Sequence, residues 1–360
     1  MTLHVHSESE EIAERRAVPS GCGPHARRGV IECPALLERW EVEGKRGEKM
    51  RLFVTGISGY LGRLLLQSLE QADFVETVVG LDVKEPPLLP PKLEFRRGDV
   101  RDPAIVRHMR GCDAVLHMAF VLDEIRDKGL TDDININGSR NVFDRALEAE
   151  VPWLIFLSSM AAFAGYPDNP FPITDDDYPR GHRGIYYAYA KAEVEHYLRY
   201  MRERHPGIRV TVLRPCVIAG PNIDNTVVKL FSRPFAALPG GNDPETQLIT
   251  EEDMVEAIML VLKKRAEGNY NITSDDWVKL SDLMRERGVW APSVPLGPLC
   301  ALADLAFRLG ASPISSHWIR MLSYHLVGSN EKIKRELGWR PRKTTLQIFR
   351  ETFLASGTAP

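Results

Sequence analysis

Tyr187 and Lys191 stand four residues apart in a segment rich in tyrosine and alanine. On a helix this spacing directs both side chains from the same face. A phenol with an ordinary pKa of about 10 is a poor acid–base group at neutral pH. A neighbouring ammonium group stabilises the phenolate and lowers that pKa, so the pair could exchange a proton with a substrate oxygen. Tyr186 and Tyr189 lie in the same segment, but only Tyr187 has the required spacing to Lys191.

Ser159 closes an apolar run that begins at Trp153 and is typical of a buried strand. Ligands of open α/β sheets bind at the carboxyl ends of the strands. A hydroxyl at that end could hydrogen-bond the same oxygen that Tyr187 serves. We therefore predict Ser159, Tyr187 and Lys191 as the catalytic residues.

Three glycines, Gly56, Gly59 and Gly62, follow the apolar run that starts at Met50 and precede the helix-like segment from Arg63 to Leu69. The first glycine permits a tight turn, the second lets backbone N–H groups approach a pyrophosphate, and the third permits close packing of helix on strand. The amino end of the helix also favours an anion. The pattern predicts a dinucleotide site; a glycine turn without a ligand is the alternative.

Asp82 ends the next apolar run, about 20 residues after Gly62, where a carboxylate can accept hydrogen bonds from both hydroxyls of an adenosine ribose. It would repel a 2′-phosphate, so we predict NAD as the cofactor rather than NADP. Lys84 lies close enough in sequence to weaken that preference. An ordinary acid at a strand end is the alternative. With NAD bound, the positively charged nicotinamide would add to the effect of Lys191 and lower the pKa of Tyr187. Tyr187 would then move a proton while a hydride moves to or from the cofactor.

Short apolar runs alternate with helix-like segments from Met50 to Pro215, and the segments Ala104–Arg110 and about Ile134–Glu148 are predicted helices. Such alternation is typical of a parallel sheet with helices on both faces. We predict an α/β fold, a Rossmann-type doubly wound parallel sheet with a smaller C-terminal substrate lobe. The predicted parts are a flexible or surface-lying N-terminal extension (1–49, with a helix at 35–43), a cofactor-binding domain (50–215) and a mostly substrate-binding lobe (216–360) whose segments near 252–272 return to the cofactor-binding domain.

The composition is that of an ordinary globular protein, with 44% hydrophobic and 26% charged residues and a net charge of −3. This charge does not indicate a nucleic acid or an anionic membrane as partner. The five cysteines are scattered and odd in number, which argues against a zinc site or a disulfide framework and favours a reducing, cytoplasmic location. No apolar run reaches the ~18 residues of a membrane span.

Further short motifs, each different, follow one another along the chain. Together with the glycine turn they make the chain resemble the extended short-chain dehydrogenases/reductases of the NAD-dependent epimerase/dehydratase type. The motifs that carry this resemblance are Thr55–Gly62, Asp82, Gly98–Asp102, Leu116–Ala119, Asn135–Asn141, Leu157–Ser159, Tyr187–Lys191, Leu213–Pro215 with Gly220–Pro221, Asn269–Ile272 and Leu337–Pro341.

The resemblance implies a role for each matching residue. Ser159 and Tyr187 would be catalytic, and Lys191 would also hold the nicotinamide ribose. A homodimer paired through the helix that carries Tyr187 is implied as well. The implied cofactor contacts are Gly56, Gly59, Tyr60, Leu61 and Gly62 to the pyrophosphate, Asp82 to the ribose, Asp99 and Val100 to the adenine, Ala119 along the cofactor, and Asn135 near the cofactor and the active site.

Two departures from the family pattern concern the substrate. Phe163 and Ala164 occupy positions where relatives usually carry Tyr-Gly. Val217 replaces an asparagine that helps nucleotide-sugar epimerases hold the diphosphate, and a valine side chain offers no hydrogen bond. The form Leu213–Pro215 instead resembles the hydroxysteroid dehydrogenase and dihydroflavonol reductase branches.

Three hypotheses on function follow. The first is an NAD(P)-dependent oxidoreductase that acts on a secondary alcohol or ketone of a small, rather apolar molecule. The second is a nucleotide-sugar epimerase or dehydratase that uses bound NAD transiently. The third is a non-catalytic NAD(P)-binding regulatory protein, against which the intact set of Ser159, Tyr187 and Lys191 argues.

An apolar segment from Pro295 to Phe307 has the pattern of a helix. We interpret it as a core helix of the C-terminal lobe. Two alternatives stay open: a wall of a pocket for a hydrophobic substrate, or a surface that docks on a membrane or a partner.

Overall fold

Strands and helices alternate through most of the computed structural model, which describes residues 49–122, 127–221, 237–239, 241–312 and 315–354. The predicted extension therefore lies outside the described residues, apart from Lys49. The strands are β1 (Met50–Thr55), β2 (Val75–Asp82), β3 (Leu93–Arg97), β4 (Ala114–His117), β5 (Trp153–Leu157), β6 (Arg209–Pro215), β7 (Val217–Ala219), β8 (Leu238–Pro239), β9 (Glu245–Thr246), β10 (Leu248–Thr250), β11 (Gly268–Ile272), β12 (Val278–Lys279) and β13 (Ser293–Val294). The α-helices are α1 (Tyr60–Gln71), α2 (Val106–Met109), α3 (Lys128–Asp132), α4 (Gly138–Glu148), α5 (Tyr186–Arg204), α6 (Glu251–Lys264), α7 (Leu280–Glu286), α8 (Leu296–Arg308), α9 (Ser316–Met321), α10 (Glu331–Leu337) and α11 (Thr345–Phe353).

A seven-stranded sheet in the order β11-β6-β5-β4-β1-β2-β3 forms the centre of the protein. Every neighbouring pair in it is parallel. β1 pairs with β2 on one side and with β4 on the other, so the strand order reverses between β1 and β4. In a doubly wound sheet the crevice at this reversal, outside the carboxyl ends of the strands, is where ligands bind.

Alternate side chains of the strands enter two separate hydrophobic cores, one on each face of the sheet. Leu52 and Val54 of β1 pack in one core, with α1 and α6. Phe53, between them, packs in the other core, with α4 and α5. This two-residue alternation with helices over both faces confirms the predicted doubly wound α/β fold.

The element bounds differ from the sequence-based prediction mainly at the ends. We predicted a helix from about Ile134 to Glu148. The structure has a π-helical turn at Asp133–Asn137 and begins α4 at Gly138. The predicted helix at Ala104–Arg110 is a 3-10 turn at Pro103–Ile105 followed by the single turn of α2.

The chain beyond β6 contributes both to the sheet and to a lobe beside it. β11 is the edge strand next to β6. The described residues of the lobe form three two-stranded pairings, β7 with β10, β8 with β13 and β9 with β12. Within the described ranges, none of the helices combines the length and the hydropathy that crossing a bilayer requires.

The interpretation of Pro295–Phe307 as a core helix is wrong. The segment does form a helix, α8, but Cys300 is its one buried residue. Hydropathy alone does not reveal what covers an apolar helix, and here the described part of the chain leaves six of its 13 residues exposed and six half-buried.

Candidate active site

A cavity of about 710 Å³ opens at the carboxyl ends of the central strands. It extends from the glycine turn between β1 and α1, past the amino end of α5, to α9 in the C-terminal lobe. All the predicted site residues line it except Asn135. The structure therefore brings the two halves of the prediction, the dinucleotide turn and the acid–base group, into one cavity.

The glycine turn has the tight geometry that the motif predicts. Gly56 has φ +76°, and a Cβ there would lie 2.7 Å from the backbone nitrogen of Ala119. A Cβ on Gly62 would lie 2.4 Å from the carbonyl oxygen of Gly56. Gly59 is the N-cap of α1 and offers no side chain to its first amides. The amides at the start of α1 therefore have no side-chain cap and follow a turn with no room for a Cβ at Gly56 or Gly62, which fits the pyrophosphate of NAD.

Asp82 is held at the rim of this cradle by two backbone amides. Its Oδ2 accepts from Ser58 N at 3.0 Å, and its Oδ1 accepts from Lys84 N at 3.2 Å. Each carboxylate oxygen keeps a second lone pair, so the group can still accept from two ribose hydroxyls. The residues present thus fit an adenosine ribose without a 2′-phosphate.

Asp99 and Val100 line the cavity near the same end. Arg101 Nη2 forms an ion pair with Asp99 Oδ2 at 2.7 Å, and this hydrogen bond lowers the pKa of Asp99. Arg101 also binds Asp133 at 2.9 Å. The ion pairs fix the backbone at Asp99 and Val100, which we propose contact the adenine.

Asn135 is fully buried in the π-helical turn and does not line the cavity. Its side chain instead binds both polar groups of the Val121 backbone, accepting from N at 2.7 Å and donating to O at 3.0 Å. The residues Ala119 to Val121 form part of the cavity wall. We propose that Asn135 positions this wall rather than touching the cofactor.

α5 presents Tyr187 and Lys191 to the cavity from one face. The hydroxyl of Ser159, which accepts from Ala161 N at 3.1 Å, lines the cavity beside the phenol of Tyr187. Burial raises the pKa of Tyr187 to about 12, and the side chain of Ser159 opposes that rise. In the protein without cofactor, desolvation of the phenolate outweighs the contacts that favour it. The predicted lowering of this pKa includes the positive charge of a bound nicotinamide and stays a prediction.

Lys191 is 3% exposed and lies under Tyr187. Its Nζ donates to Leu157 O at 2.6 Å and lies 3.6 Å from the ring centroid of Phe120. Burial lowers its pKa to about 7, and the negative charge of Glu195 opposes that shift. The ammonium is thus held in a nearly dry site by a carbonyl, an aromatic face and one distant carboxylate.

Sequence reasoning missed a buried ionic group behind Lys191. Arg214 and Glu195 are 1% and 4% exposed, and Arg214 Nη2 lies 2.7 Å from Glu195 Oε2. Ser158 Oγ donates to the other oxygen of the same carboxylate at 2.5 Å. A signal was present, since Glu195 stands four residues after Lys191 on the same helix.

His117 at the end of β4 is a second buried polar residue for which the sequence suggested no role. Its Nδ1 lies 2.7 Å from Thr55 Oγ1 and its Nε2 lies 2.7 Å from Ser139 Oγ. Burial, and then the charge of Lys191, lower its pKa to about 3. A neutral His117 therefore links β1, β4 and α4 and does not serve as an acid or base in the cavity, which it does not line.

The half of the cavity beyond Tyr187 is largely apolar. Trp318 of α9 stacks on Tyr187 with ring centroids 6.4 Å apart. Phe120 packs edge-on against the same Tyr187 ring, with centroids 5.7 Å apart. Val217 lines this half, and Glu245 is the carboxylate among its described lining residues. Those described residues include no arginine or lysine beyond Lys191.

Comparison with known proteins identifies the class. A model of the NAD dependent epimerase/dehydratase family matches residues 52–273, more than half of the chain, and the chain belongs to this family. Members of the family are NAD-dependent enzymes, and NAD is the cofactor that the glycine turn and Asp82 predict. The resemblance stated from the motifs is confirmed, whereas the branch within the family stays a prediction.

Two relatives and one solved structure illustrate the family. The chain is 27% identical over 318 residues to an uncharacterized protein of Mycobacterium tuberculosis, covering 86% of this chain and 85% of that protein. It is 28% identical over 244 residues to the N-acetyl-alpha-D-glucosaminyl-diphospho-ditrans,octacis-undecaprenol 4-epimerase of Escherichia coli O157:H7, covering 65% and 70%. The structure of the dTDP-glucose 4,6-dehydratase DesIV from Streptomyces venezuelae, with NAD bound, shares the fold with a TM-score of 0.61, 21% identity and coverage of 84% and 97%.

Proposed function

We propose that this enzyme oxidises a secondary alcohol carbon of a sugar carried on a diphosphate and then reduces the ketone on its opposite face, and so inverts that carbon. The arrangement that carries the proposal is the Ser159–Tyr187–Lys191 group facing the same cavity as the glycine turn. NAD, when bound, supplies a hydride acceptor that can return the hydride. The sugar diphosphate is supported by the family and by the relative that acts as a 4-epimerase on such a substrate.

The roles of the protein side chains follow from their contacts. Tyr187 Oη takes the proton of the substrate hydroxyl during oxidation and gives it back during reduction. Ser159, which lines the cavity with Tyr187, holds the same substrate oxygen. A charged Lys191 below the ring favours the phenolate that the oxidation step requires, since its Nζ lies 5.8 Å from the Tyr187 ring centroid.

Epimerisation fits the cavity better than dehydration does. Loss of water from a keto sugar needs one group to remove a proton from carbon and another to protonate the leaving hydroxyl. The residues after Ser159 that line the cavity, Met160 and Ala161, cannot titrate. Of the described lining residues beyond Tyr187, Glu245 alone carries a carboxylate. Inversion through a ketone needs no acid–base group besides Tyr187: it needs a bound cofactor and room for the keto sugar to turn its opposite face to the returning hydride, which a cavity of about 710 Å³ offers.

Our first hypothesis, net oxidation or reduction of a small apolar alcohol, is the second candidate. The comparisons support it less well than the sugar substrate. It is favoured by the apolar lining around Val217 and by the lack of an arginine or lysine among the described residues there, because a diphosphate is commonly held by such cations. Residues 222–236, which include Lys229 and Arg233, lie outside the described residues.

A single assay separates the two candidates. The full chain is incubated with NAD and, in parallel, with nucleotide sugars, a polyprenyl-diphosphate sugar and apolar secondary alcohols, while NADH and the configuration of the product are followed. Conversion of a sugar diphosphate to its epimer without net NADH supports the proposal. Stoichiometric NADH from an apolar alcohol, with every sugar unchanged, would replace it with the second candidate.

A further inference from the structure

Helix α8 in the C-terminal lobe is apolar but exposed. Of its 13 residues, Cys300 is the buried one. Leu302 and Leu305 are 65% and 54% exposed, and Leu309, directly after the helix, is 74% exposed. Their spacing of three and four residues places these leucines on one face. We call Leu302, Leu305 and Leu309 the α8 face.

The helix is fixed to the lobe on its other side. α8 packs on α9, and Asp304 Oδ1 accepts from Ser316 N at the start of α9 at 2.9 Å. This contact occupies the acidic side chain of the helix. The α8 face is therefore presented by a positioned helix, and three adjacent exposed leucines of this kind typically mark an interaction surface.

The charge of α8 and of the helix packed on it differs in sign from that of the whole chain. α8 and α9 carry two arginines (Arg308 and Arg320) and one acid (Asp304), which gives a formal charge of +2 − 1 = +1. The full chain has −3. The Asp304 carboxylate accepts from Ser316 N, so the two arginines supply the charge that α8 and α9 offer to a partner. An anionic surface that also accepts apolar side chains would be complementary to both features.

The position of α9 connects this surface with the candidate active site. α9 packs against α8, and its residues Trp318 and Met321 line the cavity. One short helix therefore separates the exposed leucines from the site where Tyr187 acts. A lipid surface at the α8 face would lie close to the substrate half of the cavity.

We propose that the α8 face docks the enzyme on the surface of an anionic lipid bilayer. The leucines enter the boundary between head groups and acyl chains, and the arginines approach the phosphates. The helix lies on the membrane and does not cross it. The proposal rests on α8 and its charges and stands independently of the substrate assigned above.

The test is sedimentation of the full chain with vesicles of phosphatidylglycerol and phosphatidylethanolamine. We expect the wild-type chain to bind, and L302E/L305E to lower the partition coefficient by about tenfold or more, since it places two charges in the apolar face. The matched control is L88E/L89E, which changes two leucines that are 60% and 54% exposed and do not line the cavity. Its binding should equal that of the wild type, and both variants should retain NAD affinity.

If L302E/L305E fails to fold, L302A/L305A replaces it, with a smaller loss expected. Failure of the wild-type chain to sediment with the anionic vesicles would overturn the proposal. So would equal binding of the wild type and L302E/L305E. Light scattering tests whether a second copy of the chain binds the α8 face instead. If the wild type is a dimer and L302E/L305E is a monomer, the α8 face is a dimer interface.

Discussion

The two halves of the cavity are built in different ways. The cofactor half uses backbone amides and short-range geometry: Gly56 to Gly62 form one turn, and Asp82 is fixed by amides of Ser58 and Lys84. The substrate half is assembled from side chains of distant segments, among them Phe120, Glu245 and Trp318. A short local motif can supply the binding site of a cofactor that a whole family shares. The substrate site, in contrast, depends on side-chain packing that only the folded chain creates.

Tyr187→Phe should produce the largest effect, because Tyr187 lies where the cofactor half and the substrate half of the cavity meet. It removes the proton-transferring oxygen, so turnover should fall by about 10³-fold while NAD affinity is unchanged. Tyr189→Phe on the same helix is the matched control and should leave turnover unaffected. The assignment is wrong if Tyr189→Phe abolishes turnover and Tyr187→Phe does not.

Glu195→Gln tests whether the buried ionic group supports the catalytic helix. The change leaves Arg214 buried beside a neutral amide, and breaking such a pair costs about 3–5 kcal/mol. Urea unfolding should show this loss. Glu193→Gln, whose partly exposed carboxylate lies 3.4 Å from Arg140, should cost less than about 1 kcal/mol. Equal costs for the two variants would show that the buried pair contributes no more than the surface pair.

Asp175, which binds the edge strand β11, should make the stability of the fold depend on pH. Its Oδ1 accepts from Asn271 N of β11 at 2.5 Å, and burial raises its pKa to about 6. Between the ordinary pKa of 3.8 and about 6, the folded state binds more protons than the unfolded state, so stability from this group is lost as the pH rises.

Asp175→Asn removes that titration. The unfolding free energy of the wild type relative to Asp175→Asn should therefore fall by about 2 kcal/mol between about pH 4 and about pH 7. Denaturant unfolding at several pH values measures the difference. A difference that does not vary with pH would contradict the raised pKa.

Asp82→Ala should have the smallest effect and sharpens the account of the cofactor half. Loss of an acceptor for the ribose hydroxyls should weaken NAD by about tenfold and NADP by less. Glu76→Ala, at an exposed position of the same strand, serves as control. Titration with both cofactors gives the ratio of affinities, and an unchanged ratio would refute the role of Asp82.

The fold class and the tight glycine turn could be predicted from the sequence because both are encoded locally. Apolar periodicity marks the strands, and the glycine spacing marks the turn. The ion pair of Glu195 and Arg214 joins a helix to a strand and could not be identified from spacing alone. The pKa of Tyr187 depends on burial, which exists only after folding, and the exposure of α8 depends on what fails to pack against it.

Hydride tracing tests the central claim, reversible oxidation at one carbon with Tyr187 as acid–base group, most directly. A sugar diphosphate that the enzyme converts is labelled with deuterium at the carbon that inverts. The account predicts that the label appears transiently in the nicotinamide of bound NAD and returns to the same carbon of the epimer, and that Tyr187→Phe suppresses both. Inversion in which the label is lost to water, with none in the nicotinamide, would contradict it.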